Sequence, residues 1–331
     1  MQSSDALDPN DGRYEELLAC WADLEAGLSV LLSVPSHVHS FAAKIAQYDR
    51  WTRELLAQDT DLALYLLFQL AATSSAGYSA SHSLVCAVLC EVTANELQLP
   101  AAARSHLVRA AMTMNLSITQ LQDELATQTG RLTPEQQAAL HGHGIRSAAL
   151  LHKHGVPSSQ WLDIVARHHD AESGSHAAVA NPAGSEALAQ LLHLIDRYGA
   201  MISPRASRAG RDVGESLRML TTGSDPMRER LGRALVNTIG MYPPGTFVRL
   251  VDGTTAVVLR RSRNPQLPIL AVLTDPAGQP LPQAKLHRDA GRIKSAVAAH
   301  TISMRLNHRT LVQLGLFAVR PTRRGVATAA D

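Results

Sequence analysis

The sequence predicts a mainly α-helical protein that carries a small antiparallel β-unit towards its C-terminus. Three observations carry that expectation. Apolar residues recur at helical spacing over most of the first 240 positions. Ala and Leu are abundant while aromatic residues make up only 4%, which suits helices packed through small aliphatic side chains better than a β-sandwich. At Tyr242-Pro243-Pro244-Gly245 the apolar period falls from 3.6 to 2.

Each element has a local reason. Residues 1–12, rich in Ser, Asp, Pro and Asn, read as a disordered leader. Leu17, Leu18, Trp21, Leu24, Leu28 and Leu31 make 14–32 an amphipathic helix that Ser33-Val34-Pro35-Ser36 breaks. A second helix follows over 38–58, and Asp59-Thr60-Asp61 caps a third over 62–73. Residues 81–98 form one helix, and Pro100 opens the next, through Leu107 and Ala110-Ala111. Thr133-Pro134-Glu135-Gln136 is an N-terminal signal, with Thr133 as cap and Gln136 three residues on. That helix carries through His141 and His143, with a break near Gly142-His143-Gly144. Helices over 158–169, 185–202, 213–220 and 226–239 follow, with a polar loop after Asp170. Strands are expected at 247–251, 255–259 and 268–273, with Asp252-Gly253 turning the first hairpin. The tail from Ala290 reads as partly helical, with Leu311, Leu314, Leu316 and Phe317 as docking residues.

This divides the chain into a leader (1–12), an N-terminal helical region (13–78), a helical domain (79–240), a β-subdomain (241–290) and a basic tail (291–331). Lys+Arg 31 against Asp+Glu 29 gives a net charge of +2, so no global field demands a nucleic-acid or membrane partner. The charge is unevenly spread: residues 1–70 hold eleven acids and four bases, and 285–331 hold nine bases and two acids. The simplest reading is that the two ends lie near each other or face water. The basic tail lacks the aromatic interleaving of a nucleic-acid binder. Cys20, Cys86 and Cys90 are too few and too unevenly placed for a disulfide framework, and Cys86 and Cys90 read as small core residues of a reducing compartment. An acidic N-terminus and the lack of a long apolar run predict a cytoplasmic chain without a signal peptide or membrane span.

Chemistry gathers in the histidines. His82, His143, the pair His168-His169 and Asp196 each lie on or at the end of an expected helix, and packed helices bring such donors into one metal-binding cluster. His106, His152, His154, His176 and His193 carry no spacing argument of this kind.

The order of these residues resembles the HD-GYP domain family, helical metal-dependent phosphohydrolases that cleave cyclic di-GMP. The resemblance runs over about 79–290. His82 matches the family's first histidine. Leu132-Thr133-Pro134-Glu135, His143-Gly144, His168-His169-Asp170 and Asp196 match its later motifs in order. Arg205 and Arg208, in Ser203-Pro204-Arg205-Ala206-Ser207-Arg208, match positions where the family contacts its nucleotide. The β-segment from Tyr242 resembles an extension such proteins carry. Two motifs differ. Where the family has its His-Asp doublet this chain has Met114 and Asn115, with Ile118 in place of the following lysine. The Gly-Tyr-Pro signature is absent after Gly174-Ser175.

A binuclear hydrolytic site needs a carboxylate touching both metals. Asn is neutral and bridges poorly, and Met is a soft, weak ligand for oxygen-loving ions. The resemblance, read with these departures, implies a degenerate member with at most a single divalent metal of the Fe, Mn, Zn or Ni class. It implies a catalytically impaired signalling protein that binds cyclic di-GMP or a protein partner. The alternatives are a metal-dependent phosphohydrolase with an altered or mononuclear site, and a helical scaffold or homodimer.

Overall fold

The computed structural model describes residues 9–73, 77–169, 181–202, 226–262, 264, 267–287, 293–297, 301–302, 304 and 306–317. The expected helix over 213–220, the loop after His169, Arg205, Arg208 and the chain beyond Phe317 lie outside the described residues.

Helix α1 (Pro9–Ser33) buries Leu17, Trp21, Leu24, Leu28 and Leu31, the stripe its spacing predicts. It begins four residues inside the stretch expected to be a disordered leader. It crosses α2 (Phe41–Gln58) at Gly27, where a Cβ would fall 2.0 Å from the Tyr48 hydroxyl, so glycine permits the approach. Helix α3 is Thr60–Thr73. The Asp59 carboxylate accepts from the Leu62 backbone N–H at 3.0 Å, the cap its sequence implied.

Helix α4 (Tyr78–Glu96) is buried on every side over most of its length, as a helix at the centre of a bundle must be. Helix α5 (Ala101–Thr113), α10 (Ser185–Ile202) and α11 (Pro226–Ile239) pack around it with α1, α3 and α6 (Thr119–Thr127). The last was not expected from the sequence. Its Asp123 accepts from the Ser79 backbone N–H at 2.7 Å and the Ser79 hydroxyl at 3.0 Å, so α6 caps α4 from outside. Between these lie α7 (Pro134–Leu140), opened by a Thr133/Gln136 capping box, then α8 (His143–Lys153) and α9 (Ser159–Arg167). The break expected near Gly142 is real: that residue takes φ +68, which glycine accommodates without strain. The fully buried Asp49 carboxylate of α2 accepts from Arg53 and, at 2.9 Å, from Arg109 Nε of α5. Arg53 also reaches Glu91 of α4 at 3.3 Å, so three helices share one paired network.

Strands β1 (Phe247–Leu250), β2 (Thr255–Arg260), β3 (Ile269–Thr274), β4 (Pro280–His287) and β5 (Ile293–Val297) form an antiparallel sheet ordered β4-β3-β2-β1-β5. The first three were expected. The pattern hid β4 behind Pro280 and Pro282, and β5 lies in the stretch assigned to the tail. Phe247, Val257, Leu259, Ala271 and Leu273 join the core of the helical body. Val248, Leu250, Ala256, Val258 and Leu270 form a second cluster on the other face.

Arg260 grips Asp59 through two hydrogen bonds of 2.8 and 3.0 Å, and Arg261 Nε meets Asp61 at 2.5 Å, so β2 is pinned to the start of α3. Helix α12 (His308–Phe317) lies against α1 and the sheet. Its His308 Nδ1 and the Tyr65 hydroxyl hydrogen-bond at 2.8 Å, and Arg309 pairs with Glu15 at 3.2 Å. That ion pair is a contact between the acidic and basic stretches, one of the two arrangements their charges allowed. No described helix is long and apolar enough to cross a membrane. The three cysteines are free, with Cys86 and Cys90 buried.

Candidate metal centre

Three imidazoles converge where α8 meets α9. His143 opens α8, and His168 and His169 follow α9 directly. One ligand nitrogen from each lies within 4.8 Å of the others. His143 Nδ1–H donates to the Leu140 carbonyl and His168 Nδ1–H to the Val165 carbonyl, both at 2.7 Å. A carbonyl only accepts, so each bond fixes the tautomer and leaves Nε2 with its lone pair outward. This is how histidine ligands are oriented in metal sites. His169 Nε2 stands 3.2 Å from His143 Nε2. Among the described residues no hydrogen-bond partner reaches the buried His168 Nε2. Burial, reinforced by His169, pushes His168 down to about 3, and burial lowers His143 as well. Both rings are therefore neutral at pH 7, the form that binds metal.

The close approach of these helices depends on a residue with no side chain. A Cβ on Gly144 would lie 2.8 Å from the Val165 carbonyl oxygen, 3.0 Å from that of Ala166 and 3.2 Å from His168 Cε1.

Beside this trio, His82 of α4 donates from Nε2 to Asp196 Oδ1 of α10 at 2.8 Å, with Cys86 Sγ 3.7 Å from the same nitrogen. The Tyr78 ring stacks on His82, with centroids 5.4 Å apart and planes 9° from parallel. Burial presses the Asp196 carboxyl upwards, but the His82 hydrogen bond and the imidazoles of His82, His168 and His169 outweigh it, holding it below the usual carboxylate range. Burial and Asp196 together push the Cys86 thiol up, so it stays protonated and packs as a small apolar group. The Asp196 charge also acts on His143, so five predicted donors belong to one electrostatic neighbourhood.

Met114 and Asn115, both buried, follow α5, and the residues on either side of them reach α9 and α8. On one side Trp161 Nε1 of α9 donates to Thr113 Oγ1 at 2.9 Å. On the other the Ser117 hydroxyl donates to the His143 carbonyl at 3.0 Å, and its N–H to Ser147 Oγ at 3.0 Å. Ile118 is buried nearby and brings no charge. Arg205 and Arg208 lie outside the described residues.

Sequence reasoning missed two neighbours, while Cys86 is the small core residue it was read as. Tyr78 lies four residues before His82 on α4, and His193 precedes Asp196 by three on α10. The helical spacing was there to be read, but no pattern singled these residues out.

The donors fit a divalent ion: neutral imidazoles with preset tautomers, one unpartnered buried nitrogen and an anionic carboxylate. The profile of the HD domain family matches residues 60–228. A cyclic di-GMP phosphodiesterase of Pseudomonas aeruginosa is 25% identical over 189 residues, which are 56% of this chain and 45% of that protein. The chain thus matches less than half the length of that relative. No solved structure matches the chain.

Proposed function

The chain belongs to the HD domain family, and from that premise we propose an HD-GYP-like signalling protein that binds cyclic di-GMP without hydrolysing it efficiently. In this reading one divalent ion is held by the His143, His168 and His169 group, with the neighbouring His82 and Asp196, now hydrogen-bonded to each other, turning towards it. The observation that carries it is the histidine trio, whose imidazoles keep ligand-ready tautomers. The sequence sets against it Met114 and Asn115, buried at the end of α5, where the resemblance would have a histidine and an aspartate.

When bound, such an ion polarises a phosphoryl oxygen and lowers the pKa of a bound water. The chain's own residues account for the rest. His143 and His168 present fixed lone pairs, and Asp196 supplies the negative charge. Asn115 is neutral, so nothing at its position offsets the charge of a second ion. Ile118 gives a phosphate no cation, which leaves that role to Arg205 and Arg208. A cytoplasmic location and a homodimer accompany this reading as proposals.

One observation favours a second reading. The intact trio with its unpartnered His168 Nε2 also suits a mononuclear phosphohydrolase. Metal analysis of the full chain purified without chelator, with calorimetric titration of cyclic di-GMP and a hydrolysis assay, separates the readings. We expect about one ion per chain, nucleotide binding and negligible turnover. Robust turnover lost in both His168→Ala and Asp196→Ala would establish the phosphohydrolase instead. Absence of both metal and nucleotide binding would leave a helical scaffold.

A further inference from the structure

We propose that His193 is a further ligand of the metal centre, supplied by α10 where the 114–115 turn supplies none. The inference rests on the metal-binding reading above. His193 and Asp196 are three residues apart, so they share one face of α10. Two contacts fix that helix against α4. Asp196 accepts from His82 at 2.8 Å. One turn later Gly199 lies so close that a Cβ would sit 3.2 Å from Cys86 Sγ and 3.3 Å from His82 Cε1. With register and depth set, His193 meets His169 edge to face, ring centroids 5.9 Å apart and planes at 86°.

That distance is a little longer than a shared ion requires. Two imidazoles bound tetrahedrally to one ion through nitrogens about 2.0–2.1 Å from it hold their centroids roughly 5 Å apart. The rings of the trio itself are spaced 5.1, 4.7 and 4.1 Å. His193 stands just outside the trio and extends it from His169, the exposed member; a movement of the ring towards the trio on metal binding would add a fourth nitrogen to a shared ion. The chemistry of the added donor is specific. A fourth neutral imidazole completes the coordination of one borderline ion but brings no anion to bridge a second. It favours Zn²⁺, Ni²⁺ or Co²⁺ over Mn²⁺ and Mg²⁺.

The test uses the full chain stripped of metal and titrated with Zn²⁺ against a chromophoric chelator, and separately with Co²⁺ while its visible absorption is followed. His193→Ala and His193→Gln are compared with the native protein, with His152→Ala as the control, an exposed histidine of α8. The expected result is a roughly 10–100-fold loss of Zn²⁺ affinity in both His193 variants, an altered Co²⁺ band and an unchanged control. Thermal melting of the metal-free proteins checks that the variants fold, and His193→Gln preserves much of the side-chain volume. Affinity within about two-fold of native in either folded variant would overturn the role of His193 while leaving the centre standing. A native protein that takes up neither ion would overturn the centre itself, and His193 with it.

Discussion

Gly144 sets how closely α8 and α9 approach, and so where His143 stands relative to His168. Alanine there would press on two backbone carbonyl oxygens, at 2.8 and 3.0 Å, which have no flexible end to swing away. Gly144→Ala should therefore cost about 1–3 kcal/mol of stability and weaken Zn²⁺ binding as well. Denaturant unfolding and metal titration check both effects, and a stable variant with native affinity would show that the helices can part freely. At the neighbouring turn, Met114→His with Asn115→Asp returns an imidazole and an anion to a site that keeps its other donors. Metal stoichiometry measured by elemental analysis should rise towards two ions per chain. An unchanged stoichiometry would mean that the space has closed around the packed side chains. His82, His143, His168, His169 and Asp196 could be picked out as candidate donors because they follow one another in an ordered series of motifs. Gly144 was part of a matched motif, but its contact with the end of α9, like that of His193 with His169, joins separate helices and is recorded by no local pattern.

At the scale of elements, docking of α12 is tied to one titrating side chain. Burial holds His308 below its ordinary value, so the folded chain binds that proton more weakly than the unfolded chain does. The stability contribution is intact above the ordinary histidine value of about 6.5 and declines as pH falls below it. His308→Gln removes this titration. The difference in melting temperature, native minus variant, should therefore shrink from pH 7 to pH 5, whereas a constant difference would sink the assignment. Tyr65 hydrogen-bonds to His308, and the next residue, Arg309, pairs with Glu15. The long helices were legible because periodicity and caps agree, as Thr133 with Gln136 at the start of α7 shows. Short elements were not. Helix α6 has few apolar residues, and its capping work for α4 is long-range, while β5 is paired only through a strand more than forty residues earlier.

At the scale of the molecule, the sheet and the helical body share one hydrophobic core, and Arg260 and Arg261 close the seam against Asp59 and Asp61. Thermal unfolding followed by circular dichroism should therefore show a single transition. Arg260→Ala, which leaves two largely buried carboxylates short of a partner, should lower stability by about 2 kcal/mol. Two resolved transitions in the native protein would mean that the seam does not couple the parts. The charge asymmetry predicted that the chain's ends could meet, but the seam itself was hidden, because its acids and arginines lie about two hundred residues apart.

The outer strand β4 has a consequence for self-association. An unpaired strand edge is a template on which a second chain can grow a sheet. Here Pro280 and Pro282 give that edge two residues with no N–H to donate, and the adjoining Lys285 adds charge. The β4 side is thus a poor seed for aggregation, and among the described residues the opposite rim, at Ile293–Val297, is the side left for growth of one sheet onto another.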